Sequence, residues 1–158
     1  MTRAGERFLE AARLLGLEPA VRRFPEGTKT AADAARAVGC DVAQIVKSLV
    51  FMADGAPLLA LTSGPNRADP ERLADLVQAE HVRQANAEEA RSATGFAIGG
   101  TPPFGHPQRL TVLMDRDLMG WEELWAAAGT PDTVFPIAPR ELLRASGGLI
   151  ADFKQETR

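Results

Sequence analysis

Apolar residues along this chain fall into two rhythms, and the switches between them mark out its elements. In residues 3–15, Phe8, Leu9, Ala12 and Leu15 recur at helical spacing, and Gly16 follows where a helix end favours a left-handed residue. Residues 20–24 are short enough for a strand, which Pro25-Glu26-Gly27 breaks. Thr30-Ala31-Ala32-Asp33 has the form of a capping box and opens a helix ending at Gly39. Residues 45–53 and 58–62 read as strands, and Asp54-Gly55 between them is a strong hairpin dipeptide.

Beyond the hairpin, a helix is predicted from Asp69 or Pro70 to Gln78, then a short strand near Val82. Asn86 with Glu89 three residues on caps a further helix, closed by Gly95. A glycine-proline loop leads to a strand over residues 110–115. The segment 121–128 fits either a helix or a strand. A strand at 134–137, a helix at 139–145 and a last strand at 149–153 complete the chain. Hairpins mixed with helices at irregular intervals predict an α+β fold, one domain over residues 1–158, with a mixed, mostly antiparallel sheet flanked by helices.

The 158 residues, 45% hydrophobic and 25% charged, suit one globular domain with a sizeable core. No apolar stretch approaches the roughly 18–20 residues of a membrane span, and no signal-peptide pattern opens the sequence, so a cytoplasmic protein without a membrane partner is expected. A single cysteine, Cys40, excludes an internal disulfide, and with only His81 and His106 there is no metal-ligand spacing. Neither metal nor cofactor is expected. A net charge of −3 argues against coating long stretches of phosphate backbone, hence against a DNA-binding role, and confines any nucleic-acid contact to a small patch.

Two features carry candidate chemistry. Strand alternation places Lys47 on the face shared by Ile45, Leu49 and Phe51, an unusual place for an ammonium. It is open to two roles: a stem that packs while its head snorkels to water, or a charge aimed into a cavity. The second feature is Gly99-Gly100-Thr101-Pro102-Pro103-Phe104-Gly105. Its glycines permit close backbone approach and its prolines stiffen the chain, as either a ligand-facing loop or a plain connector. The loop lacks both Gly-x-Gly-x-x-Gly and Gly-Lys-Ser/Thr, which removes the main support for a nucleotide fold. Cys40 has no adjacent base and reads as a core or turn residue. His106 reads as a brace for the loop, and Asp115 and Asp117 as solvated turn carboxylates.

Lys47 in an apolar strand, roughly fifty residues before the Gly-Gly-x-x-Pro-x-Gly loop, resembles the YbaK/ProX family of trans-editing aminoacyl-tRNA deacylases and the related insertion domain of bacterial prolyl-tRNA synthetases. The resemblance runs from about Val21 to Asp152. It implies the YbaK/prolyl-tRNA-synthetase-associated fold and hydrolysis of the ester joining a small noncognate amino acid to the 3′ end of a tRNA, commonly proline tRNA. A prolyl-tRNA synthetase is an implied partner. No metal or protein nucleophile is implied.

By the same resemblance Lys47, Gly99 and Gly100 are the catalytic set, with the main chain at Gly100 and its neighbours facing the oxyanion. Lys47 is left open between a positioning charge and a base. Phe24, Ala31, Ala34, Thr101, Pro102, Pro103 and Thr133 are the substrate-binding candidates, Thr133 or Asp132 standing where some alanine-specific members carry a histidine. Pro102 replaces a serine found in many members. The competing expectation is a noncatalytic module that binds a tRNA end or a nucleotide and acts with a synthetase.

Overall fold

Asp54 and Gly55 adopt positive φ, 48° and 83°, as a two-residue hairpin of the right twist requires. They join β2 (Ile45–Ala53) to β3 (Ala56–Ser63), the longest strands of the fold. The computed structural model describes residues 2–156. Its other strands are β1 (Arg22–Arg23), β4 (Val82–Gln84), β5 (Thr111–Asp115), β6 (Leu124–Ala127), β7 (Thr133–Ile137) and β8 (Leu149–Ala151). The helices are α1 (Arg3–Leu14), α2 (Ala31–Val38), α3 (Pro70–Val77), α4 (Ala87–Thr94) and α5 (Pro139–Ser146).

The expected caps are in place. Thr30 accepts from the Asp33 N–H to open α2, and Gly39 ends it in the left-handed region. Asn86 and Glu89 form a reciprocal capping box on α4, which Gly95 closes. The ambiguous 121–128 segment resolves as β6, an inner strand, entered through a short irregular stretch that follows a 3-10 turn at Arg116–Gly120.

All eight strands join one sheet, ordered β1-β7-β6-β2-β3-β5-β8, with β4 also paired to β2. Parallel pairs (β2 with β6, β3 with β5, β5 with β8) mix with antiparallel ones, as the irregular alternation of elements predicts. Period-two alternation sends Val46, Val50, Leu59, Leu61 and Met114 into a core under α1, α4 and α5, with Phe8, Ala90 and Leu142 facing them. On the opposite face Phe51, Leu58 and Leu113 pack against Leu73 of α3 and Phe153, while Ile45, Trp125 and Val134 pack against Ala34 and Ala35 of α2.

One irregularity positions the site. Along the edge of β2 away from β3, β6 pairs only with Ile45 and Val46, and β4 pairs only with Phe51, Met52 and Ala53. Between those partners, among the described residues, no strand lies beside residues 47–50. The sheet is split there, and the split opens a cavity.

Candidate functional site

The cavity has a volume of about 410 Å³, within the range of small-ligand sites. Lys47, Ser48 and Leu49 form its floor at the split. Ala31 and Ala34 of α2 and Trp125 of β6 stand on one side, with Ala85 and Ala90 on the other. Thr28, Lys29, Ile98, Gly99 and Thr101 close it from the connecting segments. Its walls carry two lysines and no carboxylate among the described residues.

Lys47 lines the cavity from the stretch of β2 that has neither β4 nor β6 beside it. The side chain is half-buried, and Nζ donates to the main-chain carbonyl of Asn66, in the segment after β3. Burial, then the nearby Arg67 guanidinium, push the ammonium below the usual lysine range, and the Asp115 carboxylate opposes them. Such an ammonium suits an anion or a polar oxygen entering the cavity.

The glycine loop divides. A turn puts the Ala97 carbonyl in reach of the Gly100 N–H at 3.0 Å and the Thr101 hydroxyl at 3.1 Å. Gly99, at φ +90°, lines the cavity beside the Lys29 stem: a Cβ there would stand 2.9 Å from Lys29 Cγ. Gly100 does not line it. Its N–H is already spent on Ala97, and a Cβ there would sit 2.7 Å from the Thr130 Cα, so this glycine serves close packing of two backbones. The expectation that the Gly100 N–H faces a ligand is corrected accordingly.

Pro102 and Pro103 are buried behind the loop rather than on the cavity wall. The Pro102 carbonyl can only accept, so His106 Nε2 carries the proton it donates at 2.8 Å. His106 is thus a brace, and burial holds its pKa below the ordinary histidine value. Phe24 packs against the cluster around α2, outside the cavity. Thr133 is also outside: its hydroxyl bonds that of Thr130 at 2.7 Å, while Asp132 accepts from Thr130 and pairs with Arg23 at 2.9 Å. The wall residue there is Val134. Cys40 lies at the end of α2 with its thiol pKa raised by burial, the reverse of an activated nucleophile.

Sequence reasoning missed Thr28, Lys29, Ser48 and Trp125. Trp125, a large aromatic directly before Ala126-Ala127-Ala128, was the readable signal, and its face also carries the Arg22 guanidinium at 5.2 Å. Lys29 precedes the N-cap of α2, and only the tertiary fold brings it over Gly99. Among the described residues no group of three or more His, Cys, Asp or Glu side chains is arranged to hold a metal, and no helix is long and apolar enough to cross a membrane.

A family model described as the aminoacyl-tRNA editing domain matches residues 25–145, the span that builds the cavity. The chain belongs to that family. This editing domain is 27% identical over 113 residues to a proline-tRNA ligase of Streptococcus sanguinis (strain SK36), a match covering 72% of the chain but only 18% of the ligase. It is 25% identical to the uncharacterized protein YwhH of Bacillus subtilis (strain 168), covering 77% of the chain and 78% of YwhH. A crystal structure of a candidate trans-editing enzyme for prolyl tRNA synthetase superposes with a TM-score of 0.93 at 44% identity, covering 99% of each chain. The editing domain therefore shares its whole fold with that structure, and spans under a fifth of that ligase's length.

Proposed function

We propose that the editing domain hydrolyses the ester of a mischarged aminoacyl-tRNA, with the terminal adenosine and its aminoacyl group in the cavity at the β2 split. The observation that carries this reading is that Lys47, with its half-buried side chain, and Gly99 of the glycine turn line one cavity of a chain of this family. Proline tRNA carrying a small noncognate amino acid is the substrate favoured by the likeness to proline-tRNA ligases. The protein then works in the cytosol, beside a prolyl-tRNA synthetase.

In this reading a water attacks the ester carbon, the carbonyl oxygen takes the negative charge, and collapse of the adduct expels the ribose hydroxyl. The main chain at Gly99 and Thr101 faces the oxyanion, and one such donor is worth about 3–4 kcal/mol. Lys47 holds the terminal phosphate or the ribose edge, and a vicinal ribose hydroxyl orients the water. Its bond to a carbonyl acceptor suits a positioning charge better than a base. Ala31 and Ala34 shape the amino-acid pocket, where a methylene more or less is worth only about 1–3 kcal/mol, so selectivity among small amino acids is graded.

The test is deacylation of a panel of mischarged proline tRNAs by the native chain and by Lys47→Ala. The native chain shortens at least one ester half-life, and Lys47→Ala loses roughly 100-fold of that rate. Unchanged half-lives across the panel overturn the hydrolase reading. Lengthened half-lives identify a module that binds the tRNA end without cleaving it.

A further inference from the structure

The segment after β3 is tied down more firmly than a connector requires. Asn66 Nδ2 donates to Asp115 Oδ2 and to Asp117 Oδ2, each at 2.9 Å. Asp115 is only 2% exposed and also accepts from the N–H groups of Ser63, at 3.0 Å, and Asp117, at 2.9 Å. Lys154 braces the outer side with a 2.7 Å pair to Asp117. Gly64 lets the segment run against the 3-10 turn before β2: a Cβ there would lie 2.1 Å from the Val42 oxygen. All of this fixes one carbonyl, that of Asn66, and Lys47 donates to it.

We propose that Asn66, clamped by Asp115 and Asp117, is a positioning residue that holds the Lys47 ammonium at the cavity. A lysine head on a flexible four-carbon stem has no single location unless an acceptor supplies one. The buried Asp115 carboxylate adds an attraction from behind the segment, opposing the nearby Arg67 and the burial of the amine. The proposal rests on the deacylase reading for its effect on rate, but the clamp itself can be detected without turnover.

In steady-state deacylation Asn66→Ala loses about 10- to 100-fold, and the loss falls on the same constant, kcat or KM, as in Lys47→Ala. Added to Lys47→Ala, it lowers the rate no further than about twofold, because both act through one ammonium. Asp117→Asn takes away the outer negative charge and its ion pair with Lys154 while leaving an amide oxygen to accept from Asn66, keeps the fold, and gives a smaller loss that likewise vanishes without Lys47. In nuclear magnetic resonance the Lys47 ammonium protons exchange slowly in the native chain and at solvent rates in Asn66→Ala. Losses that multiply in the double variant, a native rate in a folded Asn66→Ala, or equal proton exchange in both chains overturn the proposal. A native chain that cleaves no ester yet shows the exchange difference removes the deacylase reading and leaves the clamp standing.

Discussion

Gly99 and Gly100 are adjacent, and the structure gives them different reasons to be glycine. At Gly99 the φ of +90° forbids most side chains, while the neighbour within reach is a lysine stem that can swing aside. Gly99→Ala therefore costs about 1–2 kcal/mol through the backbone alone. At Gly100 the neighbour is the Thr130 main chain, which cannot move without shifting the loop before β7, and Gly100→Ala costs about 1–3 kcal/mol through overpacking. Thermal melts check both, and an unchanged Tm for Gly100→Ala would refute the packing role. Sequence showed the pair as one motif because glycine spacing is local. The partners that separate them, Lys29 and Thr130, come from distant segments. The same holds for Lys47: alternation displayed its odd face, but the Asn66 carbonyl that receives it lies one strand away.

Elements were legible wherever a local signal fixed them. Thr30, Asn86 and the Asp54-Gly55 turn each act through bonds within a few residues, so their spacing predicts them directly. β6 was not legible. Its strand character comes from parallel pairing of Trp125 with Ile45, far along the chain, and an apolar run alone fits a helix equally well. His106 is one of the braces of the loop between α4 and β5, and it gives that loop a pH dependence. The folded ring has a depressed pKa, so the unfolded chain binds the proton more readily. This contribution is complete above the ordinary histidine value of about 6.5 and is lost as pH falls below it. Urea melts at pH 7.5 and 5.5 should show that loss in the native chain and a smaller one in His106→Gln. Equal pH dependence in both would exclude His106 as its source.

At the scale of the whole molecule, an acidic chain of net charge −3 presents a cavity walled by two lysines and no carboxylate among the described residues. On the proposed function, that local reversal of sign suits one short phosphate-bearing end, a small patch of the kind to which the composition confines any nucleic-acid contact. Lys29 is exposed at the cavity and makes no ion pair among the described residues, so on the proposed function it meets a phosphate of the entering strand. Lys29→Ala should raise KM severalfold, leave kcat within about twofold, and flatten the slope of log KM against log salt by about 0.7. An unaltered salt slope would place Lys29 outside the contact.

The split in the sheet has a consequence for how occupancy would be felt. β4 and β6 both end at β2 without touching across the gap, and the cavity floor is the bare stretch of β2 between them. A molecule seated there acts as a keystone: it leans on the free ends of two strands that the chain leaves unjoined. Amide hydrogen exchange should therefore slow in β4 and β6 together when the cavity is filled, although the two segments share no hydrogen bond in the sheet order. Protection confined to one of them would mean that the ligand rests on a single wall.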